Sequence, residues 1–239
     1  PPTDTILSMQ WEGKFKKVVL KKRYKRFLAD ILIQDKIEVA HVPNTGSMTS
    51  CWEEDWVCLV TESNNPARKL KYTLELTHNG VSWIGVNTAN ANKLVKEWLT
   101  SEILSPFLGY KKITPEKKVG ASRFDFFLEG HQTLPDCYIE VKNVTLKLDG
   151  LAQFPDAVSE RGQKHLRELV DLKKAGHRAC MVYVVQREDV DCFKAAQTID
   201  PQYARLLLEA HQAGVEVYVY QCKLTEEGIE WKKELPWRQ

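Results

Sequence analysis

The sequence predicts a two-domain protein of α/β (α+β) class, on three observations. Residues 10–80 carry short apolar runs separated by turn residues, the signature of a small β domain. From about Val86 helical stripes alternate with apolar strands, which indicates a mixed sheet flanked by helices. Two of those later strands carry an acid inside an apolar run, Arg123-Phe-Asp-Phe-Phe-Leu128 and Tyr138-Ile-Glu-Val-Lys-Asn-Val144.

In the first domain, strand-like runs fall at 15–20, 27–33, 36–42, 56–61 and 70–77. Pro43-Asn44-Thr45-Gly46 and Asn64-Asn65-Pro66 supply turns between them. Several short strands in this space fit a small barrel such as an OB-fold, or another small β domain with the same strand pattern. The first run is unusually basic. Lys14, Lys16, Lys17, Lys21, Lys22, Arg23, Lys25 and Arg26 are eight cations in thirteen residues with no acid among them, and Phe15, Tyr24 and Phe27 are interleaved. Cations that track a phosphate backbone, with rings for stacking, serve single-stranded nucleic acid binding on OB-like folds. An exposed strand face would show the same alternation. Arg68, Lys69 and Lys71 would extend the basic surface, while Trp52-Glu-Glu-Asp-Trp56 is expected off its path. Asn44-Thr45-Gly46 is either an anion cradle of backbone N–H groups or a plain turn.

In the second domain, Leu94, Val95, Trp98, Leu99 and Ile103 form a helical stripe within 90–105. Strands are predicted near 123–128 and 137–146. Asp156 to Ala175 reads as an amphipathic helix ended by Gly176, Cys180 to Val185 as a buried strand, Pro201 to Gly214 as a helix and Val215 to Tyr220 as a last strand. The final strand–helix–strand unit implies a parallel crossover. The junction is expected between Asn79 and Val86, giving a barrel over 10–82 and an α/β domain over 83–239. The opening Pro1 to Ser8 is expected to be in part a remnant of cloning, with Met9 as a candidate native start.

Bulk properties exclude several classes. A net charge of +2 implies no polyanion partner on its own, so the local distribution of charge matters more. Six scattered cysteines without a C-x-x-C pair argue against a disulfide framework or a structural zinc site, and fit free thiols in a reducing cytoplasm. The six histidines lack H-E-x-x-H spacing, and no apolar run has the length to span a bilayer.

The acids carry the chemistry. Glu140 and Lys142 are two apart, so a strand presents both on one face. A symmetric hairpin through Gly130 and Pro135 places Asp125 opposite Glu140, about 5 Å away. Two buried carboxylates at that distance repel, and one normally stays protonated unless a cation is shared. Oxygen ligands without clustered His or Cys favour Mg²⁺ or Mn²⁺, with Lys142 beside the metal to position water or phosphate. A plain Glu–Lys pair on a solvated strand face is the competing account.

Asp125 followed by Glu140-x-Lys142 resembles the PD-(D/E)xK nuclease superfamily. His41-Val-Pro-Asn-Thr-Gly-Ser-Met48, Trp83-Ile-Gly-Val-Asn-Thr88, Cys137 to Leu146 and Phe154 to Leu169 resemble the sugar fermentation stimulation protein A family. That resemblance implies an N-terminal OB-like barrel and a C-terminal restriction-endonuclease-like domain. It also implies DNA binding and a link to sugar (maltose) utilisation genes. By analogy with the nucleases, Glu97 is expected to complete a metal shell of Asp125, Glu140 and Glu97, with Glu116 as second choice. Gln163 and Lys164 are expected to steady a phosphate, with Arg161 and His165 pointing elsewhere. The expectation is a cytoplasmic DNA-binding protein with a Mg²⁺- or Mn²⁺-dependent nuclease-like site of Asp125, Glu140 and Lys142. The alternative is a non-catalytic regulator in which these residues form an ion-pair network.

Overall fold

The computed structural model describes residues 8–11 and 14–239. The opening segment to Leu7 lies outside these. β1 (Ser8–Gln10) precedes a barrel built from β2 (Lys14–Tyr24), β3 (Leu28–Ile33), β4 (Lys36–His41), β5 (Val57–Glu62) and β6 (Tyr72–His78), to which β7 (Trp83–Gly85) adds. The order is β4-β3-β2-β5-β6-β7, and a parallel β4–β6 pairing closes the ring. Closure removes the free edges that five short strands would otherwise expose. The hairpins turn through Lys25-Arg26 and Gln34-Asp35, all four at positive φ, as a tight two-residue turn between right-twisted strands demands. Leu20, Ile31, Val60 and Leu74 fill the interior. Because β7 pairs with β6, the barrel sheet runs to Gly85, past the expected limit at residue 82.

The second domain continues with α1 (Asn90–Thr100), β8 (Lys112–Val119), β9 (Ser122–Glu129), β10 (Cys137–Val144), β11 (Leu146–Leu148), β12 (Leu151–Phe154), α2 (Glu160–Lys174), β13 (Arg178–Val185), β14 (Phe193–Ala195), α3 (Pro201–Gln212), β15 (Glu216–Leu224), β16 (Gly228–Glu234) and β17 (Trp237–Arg238). Its main sheet is mixed, in the order β1-β16-β15-β13-β10-β9-β8. β10, β13 and β15 are parallel, joined by α2 and α3. β13 shows why the sequence folds this way. Its residues are buried on both faces, so it reads as one continuous apolar run. Cys180, Val182 and Val184 pack toward α1, while Ala179, Met181, Tyr183 and Val185 pack toward α2 and α3.

Several boundaries differ from expectation. α1 stops at Thr100, with Ser101 as its cap. α2 starts at Glu160 rather than Asp156, because Ser159 accepts from the Gly162 N–H and caps it. The expected strand over 137–146 breaks after Val144 into β10 and β11. β15 is not the last strand, since β16 returns antiparallel to it. β8 was missed because Pro115 and three lysines hide its alternation.

Candidate functional site

The pleat of β10 decides the geometry. Ile139 and Val141 face α1, whereas Tyr138 and Val144 join the core under α2. Glu140 and Lys142 share the latter parity, so both point toward α2. Lys142 Nζ donates to Glu140 Oε1 at 2.6 Å. His165 of α2 presents Nδ1 to the same oxygen, and Lys142 Nζ lies 3.5 Å from that ring nitrogen. Glu140 is 3% exposed, and its second oxygen, Oε2, is buried with no hydrogen-bond partner among the described residues. Burial pushes the Glu140 carboxyl up, but His165 and Lys142 together outweigh it and hold the group below its ordinary value.

Asp125 is compensated differently. The β9–β10 ladder pairs Phe126 with Ile139, and one step further would set Asp125 opposite Glu140. There the ladder stops, and the Asp125 side chain takes over the bonding. Its Oδ2 accepts from the Val141 N–H at 2.7 Å and its Oδ1 from Asn92 Nδ2 of α1 at 2.6 Å. Neither donor carries a charge. Burial, then repulsion from Glu140, pushes the Asp125 carboxyl up to about 6.

The two acids lie in one open cavity of about 400 Å³. Its floor is Asp125, Glu140 and Lys142. Asn44, Thr45 and Gly46 of the barrel cover one side, and Phe154, Asp156 and Arg161 form another. The 44–47 loop is tied down by Arg23, which donates to the carbonyls of Arg26, Asn44, Gly46 and Ser47. Ser47 donates its N–H to Asp156 Oδ2 at 2.9 Å, linking the domains. The Gly46 N–H is spent on the Asn44 side chain, so the turn account of this loop holds over the anion cradle.

The expected third ligand is elsewhere. The α1 side chain that reaches Asp125 is Asn92. Glu97 lies five residues on, about 140° around the helix, and burial raises its carboxyl. Glu116 is on β8, paired with Arg123 at the surface. Among the described residues no group of three His, Cys, Asp or Glu side chains gathers to hold a metal. The α2 assignments also invert. Gln163 donates to Asp200 and Lys164 pairs with Glu168, both away from the acids. Arg161 and His165, expected elsewhere, are the two that reach the site, because positions four apart share a helix face. That spacing was the available signal, once the parity of Glu140 was taken with it.

Half of the basic strip is engaged, counting Arg23 and its carbonyl bonds. Lys16 pairs with Glu62, Lys17 with Glu226, and Lys21 with Asp55, within the acidic segment expected off its path. Lys71 also meets Glu62, and Arg68 bonds Thr73. Lys14, Lys22, Lys25 and Arg26 are exposed without an ion pair among the described residues, beside exposed Phe15 and Phe27.

Comparison with known proteins now bears on this arrangement. The sugar fermentation stimulation protein RE domain matches residues 89–228, and the SfsA N-terminal OB domain matches 22–86. The chain belongs to the sugar fermentation stimulation protein family. A sugar fermentation stimulation protein homolog from Bdellovibrio bacteriovorus is 46% identical, over 93% of this chain and 96% of that one. A homolog from Pseudoalteromonas atlantica is 45% identical, over 95% and 99%. A solved structure of Pyrococcus furiosus SfsA in complex with Ca²⁺ matches with a TM-score of 0.87 at 26% identity, covering 98% of this chain and 99% of that one. The OB-type barrel and two-domain α/β architecture are thus features of the family. All four segments that carried the family resemblance contribute residues to the one cavity, among them Asn44 and Gly46, Thr88, Glu140 and Lys142, and Asp156 and Arg161.

Proposed function

We propose that the chain binds nucleic acid, and that Asp125 and Glu140 hold a divalent cation, Mg²⁺ or Mn²⁺, for phosphodiester hydrolysis. The carrying observation is Glu140 Oε2, a buried carboxylate oxygen without a partner among the described residues, in the same cavity as an Asp125 that accepts from two neutral donors. Unpaired buried oxygen is costly, and a hard cation is the partner this donor set fits. Ca²⁺ in the Pyrococcus furiosus relative supports the reading. When bound, the cation supplies activation of water and charge neutralisation at phosphate. Lys142 holds its ammonium against Glu140 Oε1, where it orients water or a phosphoryl oxygen. Arg161 brings a free cation to the rim for phosphate. His165 fixes Glu140 rather than touching substrate. The exposed ammonium groups of Lys14, Lys22 and Lys25 and the guanidinium of Arg26 contribute phosphate-backbone contacts on the barrel.

Cleavage of labelled DNA and RNA with Mn²⁺, Mg²⁺ or chelator tests this. Asp125→Asn and Lys142→Met are each expected to lower the cleavage rate by at least about a hundredfold. Cleavage that survives both substitutions, or its absence under every metal condition, rejects hydrolysis at this site. The second reading, a non-catalytic DNA-binding regulator, draws on Glu140 being compensated already by Lys142 and His165. Intact binding without cleavage would favour it.

A further inference from the structure

A second cavity, of about 490 Å³, opens between the barrel and the first turn of α1. It is next to the acid cavity but separate from it. Pro43 and Ala89 line this cavity while their neighbours Asn44 and Thr88 line the other, so a thin ridge divides the two. Its wall carries the acids Glu62 and Glu75 and the cations Arg68 and Lys93. Both acids are already bonded. Glu62 pairs with Lys16 and Lys71, which hold its carboxyl down at about 2. Glu75 is buried and accepts from the side chains of Thr61, Asn87 and Asn90. Arg68 gives one N–H to Thr73, and neither Arg68 nor Lys93 has an acid partner among the described residues. His41 on the same wall is pushed below its ordinary value by burial and then by Arg68, so it stays neutral near pH 7.

Three features of this wall call for a negatively charged acceptor. With Glu62 offset by its lysines, the two unpaired cations face only the charge of Glu75. The Trp11 indole N–H is buried with no acceptor among the described residues, and a buried donor left unbonded is costly. Ala89, Asn90 and Lys93 bring the N-terminal turn of α1 to the cavity, with no side-chain cap and no acid in that turn. The positive end of the helix dipole is therefore uncompensated there. The Asn90 and Ala91 N–H groups are spent on the Asn87 and Thr88 carbonyls, so the helix supplies field more than hydrogen bonds. We propose that this cavity binds a phosphate group, at a site distinct from Asp125 and Glu140. Its donors come from three directions: Arg68 from the β5–β6 connection, Lys93 from α1 and Trp11 from the segment after β1. A tetrahedral phosphate offers oxygens to all three, whereas a carboxylate holds its two oxygens in one plane. The volume is within the range of small-ligand sites.

Calorimetric titration with inorganic phosphate tests this, in chelator so that no divalent cation bridges phosphate to the acid cavity. The wild type is expected to bind phosphate. Arg68→Gln and Lys93→Gln each remove a charge-assisted bond and should weaken that binding about tenfold or more. Arg161→Gln, at the acid cavity, should change it by less than about twofold. Arg68 and Lys93 are exposed, and an unchanged melting temperature without phosphate checks that each variant is folded. No binding by the wild type, unchanged affinity in either variant, or a loss confined to Arg161→Gln overturns the proposal. So does acetate binding as tightly as phosphate, which would make this a carboxylate site. Two further titrations identify what carries the phosphate: a nucleoside 5′-monophosphate, and an oligonucleotide without a terminal phosphate. Tighter binding of the monophosphate than of phosphate, lost in both variants, supports a free phosphorylated ligand. Oligonucleotide binding that weakens in both variants supports the backbone of a strand.

Discussion

Burial pushes both acids of the site up, and their neighbours decide how far each goes. Glu140 has Lys142 and His165 and stays ionised, whereas Asp125 has only Asn92 and a backbone N–H and rises to about 6. An acid whose pKa is raised by folding lowers stability as pH rises. The unfolded Asp125 ionises near 3.8 and the folded one near 6, so stability falls across that window and stays lower above it. The difference corresponds to about 3 kcal/mol. In chelator at pH 8, Asp125→Asn is therefore expected to be more stable than the wild type by up to about 3 kcal/mol, with the gain vanishing below pH 4, as urea denaturation would measure. A cation relieves the same repulsion. At about 100 times its Kd, Mn²⁺ or Ca²⁺ should add about 2.7 kcal/mol to the wild type and much less to the variant. If the variant is no more stable at pH 8, the carboxyl is not under strain.

At the scale of elements, β2 and the two C-terminal helices each assign residues to roles that composition does not show. The strip along β2 looks like a row of phosphate contacts, yet three of its eight cations, Lys16, Lys17 and Lys21, pair with Glu62, Glu226 and Asp55. Arg23 is a tether for the 44–47 loop, not a free cation. Removing Lys22, Lys25 and Arg26 together should flatten the salt dependence of duplex DNA binding by about 0.9 log units per lost contact. Arg23→Ala should instead destabilise the fold and leave that slope little changed; an equal drop in slope would put Arg23 on the phosphate path. In the α2–α3 pair, Asp200 caps α3 through the Tyr203 N–H and also accepts from the Ser159 N–H and Gln163 Nε2 of α2. Burial pushes its carboxyl up, but these donors hold it below the ordinary range. Asp200→Ala strips both helix starts at once. It is expected to cost about 2–3 kcal/mol, above an ordinary cap, and to loosen the α2 turn that carries Arg161 and His165. A loss under about 1 kcal/mol by denaturation would show the helix starts to be independent.

For the whole molecule, the barrel is anchored to the α/β domain by Arg187. This residue is 1% exposed and forms a bidentate pair with Asp189. It also donates to the carbonyls of Ser50 and Thr145, one on each side of the junction. Burial pushes Asp189 up, yet Arg187 and Lys147 keep it well below the carboxylate range. Its contribution is complete above its unfolded pKa of 3.8 and is lost as pH falls through the lower folded value. Arg187→Ala leaves a buried acid with one partner fewer and should cost about 3–5 kcal/mol. Calorimetry should then resolve separate melting of the barrel and the α/β domain. A single unshifted transition would mean that the junction does not depend on this pair.

The sequence by itself determined the layers and the acid pair. Alternation and turn residues specify the barrel strands, apolar runs of β13 type specify a sheet covered on both faces, and Asp125 and Glu140 stand out because acids are expensive in such runs. These are local signals, set by periods of two and of 3.6 along the chain. What only the tertiary structure decided is the set of side chains that come to those acids from distant segments. Asn92, Arg161 and His165 were not assigned to the site, and Glu97, Gln163 and Lys164 were. The rotation of a helix about its axis depends on packing against a sheet, and helix position alone does not reveal it. The same holds for charge: Lys16, Lys21 and Arg23 are identical to free cations in sequence, and become ion pairs or tethers only when strands and loops remote in the chain close around them.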